Sequence, residues 1–293
     1  MKLATFLLDN QQRAGILRSG ELLPFPVAVA TSIDQVLVKL REGDSIQRLC
    51  KSLDPAVGLG RVKLLPPITK PSKMLCLDLN YLDETEDNDY EQLDYPTLFL
   101  RLSTRLTSHR APIERQLCSD SLDCEGELAV IIGKGGKHIP KDHALDHVFG
   151  YSIFNDGSAR AYQFEAPQWS VSEIFDQTGG FGPAIVTVDE LPEGAKGLQF
   201  ETRVNGKVVQ SANTDDMVFD VATLIHVISK AITLSPGDII VAGTPSGIGR
   251  ARSPRLLLRR GDVCEVSIEG IGTLQNQIET EVIHRATAIA TTS

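Results

Sequence analysis

Two carboxylates separated by one residue open the most chemically suggestive stretch of the sequence, DCEGELAVIIGK at residues 123–134. Side chains alternate between faces in an extended strand, so Glu125 and Glu127 point the same way while the LAVII that follows is buried. Two carboxylates side by side repel unless a cation lies between them. A second apolar run, VFGYSIFNDGSARAYQ, ends in Asn155 and Asp156 and can bring a third carboxylate to the same rim. Three oxygen ligands completed by water suit a hard ion such as Mg²⁺, at about 2.1 Å per ligand, and argue against zinc or copper. The competing reading is plain: strand ends are often charged, and the same acids can simply be solvated.

Other groups carry weaker signals. His143 and His147 stand four apart in PKDHALDHVFG and could chelate a metal on a helix, but Asp142 and Asp146 beside them favour a wet face. His226, grouped with Thr223 and Lys230, reads as solvated; Tyr162 and Trp169 read as packing or as pocket lining. GTPSGIG is too short for a dinucleotide fingerprint and lacks the following helix. In CLDLNYLDETEDNDYEQLDYP an apolar strand turns abruptly acidic at Asp83, Glu84, Glu86 and Asp87.

These groups must be positioned by a chain of 293 residues, long enough for one large domain or for a small domain and a larger one. The formal net charge of −9 is the opposite of a nucleic-acid binder's basic footprint. No apolar run approaches the roughly 20 residues that cross a bilayer, and the opening apolar segment is too short for a signal peptide. The expected location is therefore the cytoplasm, with no nucleic-acid or membrane partner. Five cysteines without a C-x-x-C pair argue against a disulfide framework and against a zinc knuckle.

LATFLL, AGILR and ELLPF read as a small β meander, followed by two helices. Ser32 to Gln35 has capping-box spacing, with Gly43 as the stop, and Asp44 to Gln47 repeats the device. VKLLPPITKPSK reads as a linker. From Met74 onward strands dominate, with VNGK marking a two-residue hairpin and EGIG a second. One later helix is expected, capped by Asp220, with Val221, Leu224, Ile225, Ile228 and Ile232 on one stripe. The predicted class is mainly β with some α.

Beyond these patterns, DCEGELAVIIGK, VFGYSIFNDGSARAYQ, FDQTGGFGP, VNGKVVQSANTDDMVF, ITLSPGDIIVAGTPSGIG and GDVCEVSIEGIGTLQNQI together resemble the fumarylacetoacetate hydrolase family in order and spacing, over about Lys73 to Ile278. The resemblance implies a mixed β-sandwich roll as catalytic domain, residues 69–293, preceded by a small N-terminal α+β domain, residues 1–68, in a homodimer. It implies Glu125, Glu127 and Asp156 as ligands of Mg²⁺, or of Mn²⁺ or Ca²⁺ in its place. It further implies Arg160, Gln163 and Thr244 as binders of the carboxylate and oxo oxygens of a small 2-oxo acid. The family's N-Y-x-x-H-x-x-E lid, whose His and Glu activate water, matches Asn80, Tyr81, Glu84 and Asp87, so Glu84 stands where relatives have His. Glu84 and Asp87 are then the candidate catalytic pair. Glu173 stands where the family usually carries Lys, Arg101 where it often has Lys, and Asp78, a further candidate ligand, where many members have Gly.

A divalent ion chelating a 2-oxo acid stabilises the enolate formed when a neighbouring C–C or C–H bond breaks. The expected enzyme is therefore a metal-dependent hydrolase or decarboxylase of a 2-oxo or 1,3-diketo acid. With the lid His replaced, a tautomerase, isomerase or dehydratase is the alternative, and a member without turnover is a third.

Overall fold

A computed structural model describes residues 1–82, 94–163, 165 and 171–282 of the chain. The N-terminal apolar runs form the antiparallel strands β1 (Lys2–Leu8), β2 (Gln11–Arg18) and β3 (Glu21–Pro24), margined by β4 (Val57–Gly58) and β5 (Val62–Leu64). Between them lie α1 (Ile33–Arg41) and α2 (Ile46–Leu49). Ser32 caps α1 by accepting from the Gln35 N–H at 3.3 Å, and Gly43 follows its end at φ +99°. The cap of α2 differs from expectation. Ser45, not Asp44, accepts from the Arg48 N–H at 3.2 Å, while Asp44 pairs with the Arg48 side chain. The short serine hydroxyl reaches an amide three residues on, and the carboxylate one residue earlier serves the guanidinium instead.

The remaining strands are β6 (Met74–Asp78), β7 (Thr97–Arg101), β8 (Leu106–Ser108), β9 (Ile113–Arg115), β10 (Leu122–Ile132), β11 (Val148–Ala159), β12 (Gly179–Thr187), β13 (Gln199–Val204), β14 (Lys207–Asn213), β15 (Ile239–Val241), β16 (Val263–Ile268) and β17 (Gly272–Thr280). One sheet runs β4-β3-β2-β1-β12-β11-β10-β15-β6-β7, and a second runs β14-β13-β16-β17-β9. The predicted hairpin turn joins β13 to β14, with Asn205 at φ +50° and Gly206 at φ +77°, as a primed turn demands. Helix α3 (Val221–Ala231) starts at Asp220, which accepts from the Thr223 N–H at 2.9 Å, and it buries Val221, Leu224, Ile225 and Ile228 of the expected stripe, while Ile232 lies just past its end in extended backbone and is half-buried. The architecture is the mainly β, mixed β-sandwich roll that the sequence implies.

Strand β10 is buried on both faces, and its alternation assigns those faces. Leu128, Val130 and Ile132 join a core with Phe200, Val266 and Leu274 of the second sheet and with α3. Ala129 and Ile131 face the other way, into a core with Phe154, Phe181, Phe25 and Ile33. Each such large apolar side chain contributes roughly 1.5–3 kcal/mol when fully buried, so the strand cannot slip by one residue without inverting both faces. Its register, and with it the position of every acid it carries, is fixed.

Candidate functional site

Pairing of β10 with β11 sets Glu125 directly opposite Asp156, with Glu127 opposite Phe154. One ligand oxygen from each of Glu125, Glu127 and Asp156 lies within 4.8 Å of the others. Between the two glutamates, Gly126 faces the second sheet. A Cβ there would lie 2.3 Å from Thr202 Oγ1 and 2.9 Å from Val266 Cγ1, so the sheets approach at the point that carries the acids.

The loop after β15, AGTPSGIGR, presents backbone N–H groups to carboxylates. Gly243 N donates to Glu127 Oε2 at 2.6 Å, and Gly249 and Arg250 N–H groups donate to Asp123 at 2.9 and 3.0 Å. Gly243 sits at φ +89°, which a side chain would resist. Buried Gln210 locks this loop to β10: it accepts from Gly126 N at 3.0 Å and donates to Thr244 Oγ1 at 2.8 Å. Thr244 in turn donates its only hydroxyl proton to Gly126 O at 2.9 Å, which leaves its oxygen an acceptor towards the site.

Arg160 lies over the acids. Its Nη2 is ion-paired to Glu125, its Nε donates to Asp123 Oδ2 at 3.1 Å, and its Nη1 reaches Gln163 Oε1 at 3.3 Å. Beneath them Arg101 is ion-paired to both Asp156 and Glu173, while fully buried Arg105 donates to Asp156 Oδ1 at 3.1 Å. A hollow of about 20 Å³ remains among Asp78, Glu125, Glu127, Arg160, Gln163 and Thr244, on the scale of one bound water. A wider hollow of about 250 Å³ beside Lys63, His109 and Arg110 brings no comparable set of ligating groups together.

Burial pushes the Glu125 carboxyl up to about 7, opposed by Arg160 and reinforced by Asp156 and Asp123. Burial likewise raises Asp156 to about 7, against Arg101 and with Glu173. Glu127 rises well above the carboxylate range through burial, Asp156 and Glu125. Asp78 is raised by burial, with Arg160 and Arg250 opposing.

The structure thus brings together the sequence-predicted Glu125, Glu127 and Asp156, and places Arg160, Gln163 and Thr244 around them. Asp78 lines the hollow but stands outside the three-carboxylate group. Glu84, Asp87 and Trp169 lie outside the described residues. Two readings are corrected: His147 is buried, its ring nitrogen 2.7 Å from Lys134 O, and His226 Nδ1 lies 2.7 Å from Ile139 O, so neither is simply solvated. Asp123, Arg105 and Gln210 were not singled out from sequence. Asp123 shares the alternation of Glu125 and Glu127 and was legible on that ground; nothing local marks the other two.

The donor set fits a hard divalent ion. All three acids offer oxygen, burial opposes their charge, and the positively charged Arg101, Arg105 and Arg160 are already paired with carboxylates.

Residues 73–279 match the family described as fumarylacetoacetate (FAA) hydrolase C-terminal. Oxaloacetate tautomerase YisK of Bacillus subtilis is 42% identical over 224 residues, covering 75% of this chain and 74% of that protein. A solved fumarylacetoacetate hydrolase from the psychrophilic Exiguobacterium antarcticum superposes with a TM-score of 0.85 at 37% identity, covering 96% of this chain and 100% of that one. A maleylpyruvate hydrolase from Sphingobium sp. SYK-6, solved with manganese(II) and pyruvate, gives 0.79 at 25% identity, with 96% and 100% covered. The chain belongs to the fumarylacetoacetate hydrolase family.

Proposed function

We propose that the protein is a metal-dependent tautomerase that interconverts the enol and keto forms of a small 2-oxo acid, with oxaloacetate the first candidate. The observation that carries this reading is the buried group of Glu125, Glu127 and Asp156 with Arg160 over it, in a chain 42% identical to a protein named an oxaloacetate tautomerase. Tautomerisation moves a proton from the C2 hydroxyl to C3; it breaks no C–C bond and consumes no water. Among the described residues no histidine lines the hollow, so the reaction that asks least of an activated water suits it best.

Mg²⁺ or Mn²⁺ held by the three acids would supply Lewis acidity that stabilises negative charge on the 2-oxo oxygen. Arg160 and Gln163 hold the substrate carboxylate by charge-assisted and neutral hydrogen bonds. Thr244 Oγ1, an acceptor because its proton is given to Gly126 O, receives the enol O–H. The protein works as a cytoplasmic homodimer in this reading.

Hydrolysis of a C–C bond is the second reading, favoured by the similar solved structures named as hydrolases. Decay of enol absorbance with Mg²⁺ or Mn²⁺, alongside assays for acylpyruvate cleavage and CO₂ release, separates the reactions. Glu125→Ala and Asp156→Ala should each lower metal-dependent turnover by roughly 100-fold or more, the worth of several kcal/mol of charge stabilisation. Unchanged turnover in either variant refutes the site, and absence of turnover on every such acid favours a non-catalytic member.

A further inference from the structure

Next to Glu125 and Glu127, buried Arg101, Arg105, Asp156 and Glu173 form a cluster of charge. Each Asp156 oxygen faces a guanidinium: Oδ1 accepts from Arg105 Nη2 at 3.1 Å, and Oδ2 is ion-paired to Arg101 Nη2. Arg105 is fixed mainly by main-chain and hydroxyl groups, donating to Gly157 O at 2.6 Å, to Thr178 Oγ1 at 2.8 Å and to the Glu173 main-chain oxygen at 2.5 Å, with the Glu173 carboxylate 3.9 Å away. Arg101 depends on the Glu173 carboxylate more directly. The nitrogen that meets Asp156 also meets Glu173 Oε2, Arg101 Nη1 donates to the Glu173 main-chain oxygen at 3.0 Å, and the Phe99 ring centre lies 4.8 Å from the guanidinium carbon. Glu173 is itself anchored by Ser172 Oγ, which donates to Oε1 at 2.7 Å, and by Ser158 Oγ, which donates to Oε2 at 3.3 Å.

A cation taken up by Asp156 must bind against Arg101, which occupies one of its oxygens and repels any positive charge placed beside it. We propose that Glu173 is a positioning residue that sets the cation affinity of the centre, by retaining Arg101 and cancelling its charge so that Asp156 can turn to the ion. The inference rests on the reading of Glu125, Glu127 and Asp156 as a divalent-cation site. Arg101 stays held by Glu173 when Asp156 takes an ion, because the main-chain and Oε2 contacts do not involve Asp156.

The two residues therefore act on affinity with opposite signs, and that distinguishes the device from ordinary packing, whose loss weakens binding in both variants. Mn²⁺ titrations of the full chain, read by calorimetry, test it. Glu173→Gln should raise the Mn²⁺ dissociation constant by on the order of tenfold or more, because it leaves Arg101 uncompensated. Arg101→Gln should lower the constant, the double variant should return towards wild type, and Glu173→Asp should restore part of the loss. Where circular dichroism shows that Arg101→Gln does not fold, Arg101→Lys replaces it; the single ammonium cannot bridge both carboxylates, and a smaller shift in the same direction is expected. Weakened binding in the arginine variants, or constants within about twofold of wild type in every variant, overturns the proposal while leaving the metal centre intact. Mn²⁺ binding that is absent in wild type, or that survives Glu125→Ala, overturns the centre and the proposal with it.

Discussion

Burial and like charge hold protons on Glu125 and Asp156 up to a pH of about 7, and an ion entering the site must displace them. For Glu125 the metal-free folded protein binds more protons than the unfolded chain between its usual value of 4.5 and about 7. Its contribution to stability is therefore full below that window and lost as pH rises through it, on the order of 3 kcal/mol at about 1.4 kcal/mol per unit. Glu125→Gln removes this slope, so the urea midpoint of the chelator-treated variant should gain on wild type between pH 5 and 7.5. Mn²⁺ affinity should move the other way, rising roughly tenfold per pH unit below 7 for each proton released and levelling above it, as calorimetry at several pH values would show. The acids were legible in the sequence because period-two alternation needs only the strand. Arg105 was not: it reaches Asp156 through tertiary contact alone, and no spacing rule connects residues 105 and 156.

Strand β10 positions the site through what it lacks as much as through what it carries. Gly126 sits between Glu125 and Glu127 where the second sheet packs close, and its absent side chain is what lets Thr202, Val266 and Phe200 close over the strand. Gly126→Ala would place a methyl carbon 2.3 Å from Thr202 Oγ1, forcing the sheets apart. The expected cost is about 1–3 kcal/mol, typical of overpacking, with metal affinity falling because Glu125 and Glu127 move with the strand. Thermal unfolding and Mn²⁺ titration of this variant check both parts, and a Tm equal to wild type would show that the sheets have slack here. Elements with a local signature were read correctly: α3 from its 3.6-residue stripe and its Asp220 cap, and the β13–β14 turn from Asn205-Gly206. The cap of α2 was misplaced by one residue, because Asp44 and Ser45 both offer the capping chemistry and only backbone geometry chooses between them.

The N-terminal strands are woven into the body that carries the site. Strand β1 pairs with β12 at Lys2 to Val186 and Leu3 to Ile185, a contact between residues more than 180 apart that no sequence pattern announces. Leu3, Phe25, Ile33, Val36 and Leu37 share one core with Met74, Ile131, Phe154, Phe181 and Ile239, on the face of β10 that also bears Glu125 and Glu127. The proline-rich segment reads as a linker because composition reports local stiffness, whereas the shared core depends on where the strands meet. The full chain should therefore unfold in one cooperative transition, with fluorescence and circular dichroism giving coincident midpoints. A fragment starting at residue 69 would expose the apolar face now covered by α1 and β1. It should lose the cooperative transition and Mn²⁺ binding together, since the wall behind the acids would be missing. A soluble fragment that unfolds cooperatively and binds Mn²⁺ as the full chain does would establish instead that residues 1–68 fold apart from the site.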